Sequence, residues 1–577
     1  SGRSGEAAAR AASQGRIREA AMLLRRMAFV GAAFALTLVL SSSSPPAAAQ
    51  GAGSAAAALA GQVASTEEGP MEGVIVSAKK DGSPITISVI TNAQGRYSFP
   101  AARLEPGRYS LQIRAVGYDL EGPKNADVAA GQPASADLKL RKTRNLSKQL
   151  TNAEWMMSVP GTDDDKLQLI NCVSCHTLER VVKSSHDADE FVQVVARMNG
   201  YAQVSQPIKP QRRVDQSRAA NPERFRKVAE YLATINLSSG MKHEFELKTL
   251  PRVKGRGTNV IITEYDLPRA TIEPHDVIIV NGEAWYSNFG EQFLGKIDPK
   301  TGKHTEYAMP ELRKGFPTGN LDLGIDREGH LLLGMMYQGA VARFDPKTEK
   351  FQIWQLPPER LKDDSQLNMV TNQAHVDGKL WVNDAGPSTL LRLDLATGKF
   401  EEFDPFSILP GGRQGYSIYD VRADSQNNVY VTDFQKNYVV KVDAKTGKFT
   451  AYQTGTPLSR NRRGRIDDQD RFWFAEYRGN KIAMLDTKEE RVQEWPLPTK
   501  FTQPYDVIWD KNGQLWTGGM TSDRVIRLDP KSNEVVEYPL PRDTNMRRMF
   551  VDNSTTPPTF WVGSNHGASI VRVEPLD

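Results

Sequence analysis

The sequence predicts a multidomain, mostly β protein with an N-terminal β-sandwich, a small all-α domain and a C-terminal seven-bladed β-propeller. Three patterns carry this prediction. Short alternating strands with turn signals fill residues 59–142, helical periodicity replaces them over residues 143–247, and a repeat of 43 to 49 residues runs through residues 258–577. A chain of 577 residues is also too long for a single hydrophobic core.

The N-terminus has the pattern of a secretory signal. Arg25 and Arg26 precede an apolar run that reaches Leu40, and small residues follow up to Ala49. The apolar run is shorter than the roughly 20 residues that a membrane helix needs, although an uncleaved anchor is the alternative. We therefore expect residues 1–49 to be an N-terminal extension and signal peptide. The mature protein is expected to be periplasmic or secreted in a bacterium, with no stable membrane span.

Residues 59–142 have the strand and turn pattern of a β-sandwich. Turn signals such as Asp81-Gly82 separate short runs of alternating apolar and polar residues. Three motifs of this segment resemble the carboxypeptidase regulatory-like domain: Gly95-Arg96-Tyr97-Ser98-Phe99, Leu104-Glu105-Pro106-Gly107-Arg108-Tyr109 and Gly117-Tyr118. The resemblance implies a structural or docking module.

Cys172, Cys175 and His176 form the sequence C-V-S-C-H, and the chain has no other cysteine. C-x-x-C-H is the attachment motif of c-type haem, in which both sulfurs form thioethers and the histidine is the proximal iron ligand. A redox C-x-x-C pair would lack its usual βαβ setting here, and a zinc site would need more ligands. The motif predicts one covalent haem c, attached outside the cytoplasm by a cytochrome c maturation machinery.

Helical patterns surround this motif over residues 143–247. One helix is expected to start near Asp163, a second to cover about Ala188–Met198, and a third to begin with Asn221 as its cap. The outline resembles a small mono-haem cytochrome c. On that resemblance Met198, 22 residues after His176, is the distal iron ligand, and a core position on its helix is the alternative. The other candidates for this ligand are Met156, Met157, His186 and Met241.

The C-terminal repeat is marked by an acidic residue at the end of a strand in each unit. The seven positions are Asp298, Asp345, Asp394, Asp443, Asp486, Asp529 and Glu574, and thirteen residues before them lie Trp285, Leu332, Trp381, Tyr430, Trp473, Trp516 and Trp561. Seven such four-stranded units predict a seven-bladed propeller. The seventh unit has no outer strand, and an orphan strand at residues 263–268 precedes the first. We expect this strand to pair into blade seven and close the ring.

Polar residues near the ends of the repeated strands predict a ligand surface at one mouth of the propeller channel. The alternative is that each of them only caps a loop. The candidate residues are His275, Asp276, Asn288, Asp384, Asp433, Glu476, Tyr505 and Asp506. A basic run, Arg460, Arg462, Arg463 and Arg465, is expected on a solvated loop that enters blade five. The alternative is that it guides an anionic substrate or a redox partner by electrostatic attraction.

The propeller repeats resemble the virginiamycin B (streptogramin) lyase family. The matching motifs are Trp473-Phe474-Ala475-Glu476 followed by Asn480-Lys481-Ile482, and Asp377-Gly378-Lys379-Leu380-Trp381. The resemblance implies ring opening of a cyclic depsipeptide, with Mg²⁺ and a catalytic histidine and glutamate paired in one blade. This chain departs from that pattern, because no histidine lies in the blade of Glu476 and His275 is matched with Asn288.

These patterns lead to one main functional hypothesis. We expect an exported c-type haem protein in electron transfer, whose propeller binds a small-molecule substrate or a redox partner protein. A haem-linked oxidoreductase, a carbon–oxygen lyase and a non-catalytic recognition module stay open as interpretations, and no catalytic residue is assigned. The net charge is +4 with 25% charged residues, a balanced surface that predicts no nucleic-acid partner.

Overall fold

The computed structural model describes residues 56–240 and 244–577. The predicted signal peptide and the candidate ligand Met241 lie outside the described residues. The sandwich, the helical segment and the propeller belong to one compact unit, Ala55–Asp577. No helix in the described ranges is both long and apolar enough to cross a membrane.

The N-terminal part is a β-sandwich, as predicted. One of its sheets has the strand order β2-β1-β10-β7, and the other contains β4-β3-β6-β8. Val76, Phe99 and Leu138 are among the side chains buried between them. Strands β1 to β10 are Ala57–Ser65, Gly69–Pro70, Ile75–Lys80, Ile85–Ile90, Arg96–Pro100, Gly107–Arg114, Tyr118–Gly122, Asn125–Val128, Ala134–Ser135 and Leu138–Lys142.

The segment after the sandwich is helical, but it differs from the expected all-α cytochrome domain. It contains five short α-helices of 4 to 12 residues. Helices this short cannot bury much apolar surface among themselves, and their core is completed by propeller residues such as Tyr477 and Met520. We call residues 143–240 and 244–247 the cap. Helices α1 to α5 are Asn152–Ser158, Asp163–Leu167, Glu179–Val182, Ala188–Asn199 and Arg226–Thr234.

The predicted helix starts are partly correct. Helix α2 begins at Asp163, where Thr162 and Asp165 form a capping box, and it continues as a 3-10 turn, Gln168–Ser174, into the haem motif. The prediction at Asn221 is correct in the position of the cap, but wrong in the type of helix that follows. This residue precedes a 3-10 turn and makes no capping hydrogen bond through its side chain, so the α-helix starts later, at Arg226.

Seven four-stranded blades form the propeller in the described residues; five are separate sheets, and blades one and seven belong to one 12-stranded sheet. From the inner to the outer strand, blades one to six comprise β12–β15, β16–β19, β20–β23, β24–β27, β28–β31 and β32–β35. These strands are Pro274–Val280, Glu283–Asn288, Phe293–Ile297, His304–Ala308; Leu321–Ile325, Leu331–Gly334, Ala340–Asp345, Lys350–Gln355; Leu367–Val370, Lys379–Asp384, Thr389–Asp394, Phe400–Phe403; Ile418–Ala423, Val429–Asp433, Tyr438–Val442, Phe449–Gln453; Asn461–Ile466, Phe472–Glu476, Lys481–Asp486, Arg491–Pro496; Ile508–Trp509, Leu515–Gly519, Arg524–Leu528, Val535–Pro539.

Blade seven closes the ring as the repeat predicts. Its first three strands, β36 to β38, are Met546–Asp552, Thr559–Ser564 and Ser569–Pro575, and its outer strand is β11, Val260–Asp266. Strand β11 pairs antiparallel with β38 from Val260 opposite Pro575 to Asp266 opposite Ser569. The other edge of β11 pairs with β4 of the sandwich, so one continuous sheet joins the two domains.

Candidate functional site

The haem motif lies on the propeller, at the end of the channel where the inner strands begin; we call this end the mouth. Three side chains of blade seven bind the backbone of residues 172–176, which we call the motif turn. Asn545 donates to the carbonyl oxygen of Val173 over 3.0 Å. Arg547 and His566 both bind the carbonyl oxygen of Ser174, at 3.0 and 2.8 Å. The motif turn is therefore part of the wall of the mouth.

The donor set of the motif turn fits covalent haem. Cys172 and Cys175 are free and partly buried, and burial raises the pKa of both thiols to about 11. Burial lowers the pKa of His176, which favours the neutral imidazole. Its Nδ1 lies 3.0 Å from the carbonyl oxygen of Thr177, an acceptor that requires the proton on Nδ1. The lone pair of Nε2 is then the one that could bind a metal.

Met198 lies in the last turn of α4 and its side chain is 41% exposed. It is therefore not a core residue, and the buried side of α4 is formed by Phe191, Val192 and Ala196. Of the other candidates, Met156 is fully buried in the cap, Met157 is partly buried against the same core, and the His186 imidazole lies 3.5 Å from the Glu190 carboxylate. The assignment of Met198 as distal ligand stays a prediction.

His566 is a residue of this site that the sequence did not indicate. Burial lowers its pKa to about 3, so it is neutral and donates its Nε2–H to the Ser174 carbonyl. The two residues are 392 positions apart. A repeat pattern compares one blade with another and cannot report a contact between a blade and the cap.

The channel below the mouth is filled by an ion-pair plug built from the inner strands. Arg463 lies 2.9 Å from Asp276 and 2.7 Å from Asp322, and similar pairs connect the remaining members. The plug consists of Asp276, Asp322, Asp420 and Asp506 with Arg422, Arg463, Arg465 and Arg548. Two predicted ligand residues, Asp276 and Asp506, thus lie in the plug.

The expectation of a solvated arginine loop is corrected by the same plug. Arg463 and Arg465 belong to the inner strand of blade five, and the Arg463 side chain is fully buried. A run of arginines resembles surface sequence because its partners are distant in the chain. Here the partner carboxylates come from other blades, which compensates the cost of burying the charges.

His275 and Tyr505, two other predicted residues, meet at the mouth. The Tyr505 hydroxyl lies 3.1 Å from His275 Nε2 and 2.7 Å from the Tyr419 hydroxyl. Nδ1 of His275 is hydrogen-bonded to the Asp276 carboxylate, and burial lowers the pKa of His275 to about 3. An Nδ1–H held by Asp276 orients Nε2 as an acceptor for the Tyr505 proton. This Asp–His–Tyr chain is the arrangement in the mouth that is best suited to proton transfer.

The four remaining predicted residues lie apart, each at the end of the second strand of its own blade. Asn288 and Asp433 each accept several backbone N–H groups from their loops. Asp384 binds the loop before its blade in the same manner, and burial raises its pKa to about 6. Burial also raises the pKa of Glu476 to about 8. Loop capping therefore describes the observed hydrogen bonds of three of these residues.

Comparisons with known proteins support two of the domains. Residues 412–576 match the Virginiamycin B lyase family model, and residues 58–141 match the Carboxypeptidase regulatory-like domain model. No curated protein matches the chain. A selenomethionine-substituted virginiamycin B lyase from Staphylococcus aureus is 20% identical, with a TM-score of 0.46, over 54% of this chain and 98% of that chain. A streptogramin B lyase structure is 19% identical, with a TM-score of 0.48, over 56% of this chain and 99% of that chain. The C-terminal part of the propeller is thus similar to the virginiamycin B lyase family, and the N-terminal sandwich to the carboxypeptidase regulatory-like domain.

Proposed function

We propose that the protein is an exported c-type haem protein in electron transfer, whose propeller mouth receives a small-molecule substrate or a redox partner protein. The observation that supports this most is the position of the motif turn. Its two central carbonyl groups are bound by Asn545, Arg547 and His566 of blade seven. The residues proposed to hold the haem therefore line the same mouth that would bind the reactant.

The chain's own residues have distinct roles in this proposal. Cys172 and Cys175 would attach the haem, and His176 Nε2 and the Met198 sulfur would be its iron ligands. When bound, haem c supplies a one-electron couple. Blade seven keeps the turn in one orientation through its three hydrogen bonds. Attachment requires a cytochrome c maturation machinery, which agrees with a periplasmic or secreted location.

Covalent haem is the first test. The full chain is expressed with its own signal in a bacterium that carries the maturation machinery, and the periplasmic protein is measured by the pyridine haemochrome assay. We expect one covalent haem per chain, and none in the Cys172→Ala/Cys175→Ala variant. Wild-type protein without covalent haem would contradict the proposal.

The distal ligand is tested separately in the haem-loaded protein. Met198→Ala is expected to convert a low-spin spectrum to a high-spin one and to lower the reduction potential, because a methionine ligand raises the potential. Met157→Ala, a matched change in α1, should leave both unchanged. An unaltered spectrum in Met198→Ala would exclude this ligand. Electron transfer is tested by adding periplasmic fractions of the host to the ferric protein. If no fraction reduces the haem, the result argues against electron transfer.

The match of residues 412–576 to the lyase family favours a second candidate, a Mg²⁺-dependent carbon–oxygen lyase. The blades argue against the expected histidine–glutamate pairing. Glu476 lies opposite Asn461 on the inner strand of its blade, and the strand that carries His275 lies opposite Asn288. Incubation with a streptogramin and Mg²⁺, followed by mass spectrometry, tests this candidate. A linearised product that persists without Cys172 and Cys175 would favour the lyase, whereas a tight partner without turnover would favour a recognition module.

A further inference from the structure

The arginines of the mouth fall into two groups that differ in how their charge is neutralised. Inside the plug, four guanidinium groups face four carboxylates, and each arginine has at least one carboxylate within 4 Å. Arg462 and Arg547 are the immediate chain neighbours of two plug arginines, Arg463 and Arg548. Each precedes its plug neighbour on an inner strand that begins at the mouth, and Arg547 contacts the Ser174 carbonyl of the cap, so this second pair of arginines lies on the cap side of the plug.

Arg462 and Arg547 are buried charges without an acidic partner. Their exposed fractions are 5% and 4%, and neither forms a salt bridge within the described residues. In both, Nε has no hydrogen-bond partner among those residues. Arg462 lies 4.0 Å above the Tyr505 ring and 4.1 Å above the Tyr477 ring. Its Nη1 also donates to Met520 Sδ, an uncharged acceptor, over 3.4 Å. These contacts offset part of the cost of a buried cation, but Nε stays without an acceptor among the described residues.

The carboxyl group of Glu273 lies near Arg547 but does not neutralise the arginine's charge. Glu273 is buried, and burial raises its pKa to about 8 despite the nearby charges of Arg547 and Lys209. It is therefore largely protonated at neutral pH. Arg547 donates a hydrogen bond to the Ser174 carbonyl of the motif turn, but this acceptor carries no charge.

The two arginines are close enough to act on one ligand. Both face the ring of Tyr505, with guanidinium carbons 4.0 Å and 5.5 Å from its centre. Guanidinium groups bind carboxylates through paired, charge-assisted hydrogen bonds. Two of them, each with an Nε–H that has no acceptor among the described residues, match a ligand that carries two carboxylates.

We propose that Arg462 and Arg547 form a binding site for a pair of carboxylates at the mouth, beneath the motif turn. Two sources share this chemistry: the two propionates of a haem attached at Cys172 and Cys175, or a free dicarboxylate. The first source rests on the proposed function, whereas the second is independent of it. In either case the carboxylates supply the counter-charge that the free protein lacks.

Calorimetry with glutarate tests the site in the full chain. The haem-free protein is the Cys172→Ala/Cys175→Ala variant, with acetate and the neutral diamide glutaramide as control ligands. We expect glutarate to bind and glutaramide not to bind. Arg462→Met or Arg547→Met should raise the Kd for glutarate by about tenfold to a hundredfold, the range expected for the loss of a charged hydrogen bond. Arg478→Met, a partly exposed arginine paired with Asp164 of the cap, is the matched control and should bind as wild type.

Thermal melts of each variant accompany the titrations. If a methionine variant loses its cooperative melt, the corresponding lysine variant is used, because lysine keeps the charge and loses only the planar fork. A lysine variant that melts like the wild type and still binds glutarate more weakly supports the site. A folded variant that binds glutarate like the wild type contradicts the role of that arginine.

The haem-loaded protein distinguishes the two sources. Loss of glutarate binding on haem attachment, together with a changed reduction potential in Arg547→Met but not in Arg478→Met, assigns the site to the propionates. Equal glutarate binding with and without haem assigns it to a free dicarboxylate. Glutarate binding in a chain that never acquires haem refutes the proposed function and supports the site. The site is refuted if glutarate does not bind the haem-free protein and Arg547→Met leaves the reduction potential of the haem-loaded protein unchanged.

Discussion

The ion-pair plug leads to a specific prediction for the stability of a variant at Asp322. Its side chain is fully buried in blade two and lies 2.7 Å from Arg463, 3.2 Å from Arg422 and in contact with Arg548. It also accepts the backbone N–H of Val370 over 2.8 Å. One carboxylate thus connects blade two with blades three, four, five and seven.

Asp322→Asn keeps the shape of the side chain and removes its charge. Three buried guanidinium groups then share fewer carboxylates, and one acceptor becomes an N–H₂ donor that faces them. Removing one partner of a buried ion pair costs about 3–5 kcal/mol, and we expect the free energy of unfolding to fall by this amount. Denaturant unfolding of the full chain, followed by tryptophan fluorescence, measures it.

Asp298→Asn is the matched control, since it is the same substitution in an exposed turn of blade one. Asparagine can keep the acceptor that binds the Lys300 N–H at 2.9 Å, and surface changes of this kind stay within about 0.5 kcal/mol. If both variants unfold at the same denaturant concentration with the same slope, the plug does not hold the blades together and the reasoning is refuted.

Three further predictions concern the pH dependence, the motif turn and the sandwich. Burial raises the pKa of Glu476 from 4.5 to about 8, so the folded protein keeps this carboxyl protonated over a pH range in which the unfolded chain ionises it. The free energy of unfolding is therefore highest below pH 4.5 and falls as the pH rises towards 8. Glu476→Gln should therefore gain stability over wild type between pH 4.5 and 8 in urea unfolding, and a difference independent of pH would contradict this. His566→Ala leaves the Ser174 carbonyl with one donor and should cost about 1 kcal/mol, with faster hydrogen exchange in the motif turn but not in the sandwich strands. Arg114→Met removes a 2.7 Å ion pair between the sandwich and Asp523 of blade six, and we expect limited proteolysis to attack the sandwich sooner; an unchanged digestion pattern would argue against this role.

The propeller could be predicted in detail because each blade repeats the same local sequence pattern. Every unit buries a large residue in its second strand, and in units one to six an acidic residue at the end of the third strand binds the following turn, as Asp298 binds Thr301. The missing outer strand of unit seven also predicted the closure through β11. The continuation of that sheet into the sandwich was not predictable, because Val89 and Ile261 pair at two strand edges that belong to different sequence patterns.

The site was predictable only as far as its chemistry is local. The motif turn holds two thiols and an imidazole within five residues, a spacing that indicates their use by itself. Its partners are separated from it by hundreds of residues, as in the hydrogen bond of Asn545 to Val173. The plug was missed for a related reason, since no local pattern states that the carboxylates of three blades surround Arg463.

The plug also determines from which side a ligand reaches the mouth. Because buried ion pairs occupy the channel, a ligand cannot cross the propeller along its axis and would have to approach the mouth from the side of the cap. On the side of blades five and six, two ion pairs link cap and propeller, Asp164 with Arg478 and Asp163 with Lys500, and in each pair at least one side chain is more than half exposed. Exposed pairs contribute about 0–1 kcal/mol, whereas the motif turn is held by buried donors of blade seven. These exposed pairs are not the only attachment on that side, because Tyr477 and Met520 of blades five and six lie in the buried core of the cap. Buried contacts therefore hold the cap at blades five and six as well as at the motif turn, and loss of either exposed pair should leave the cap in place.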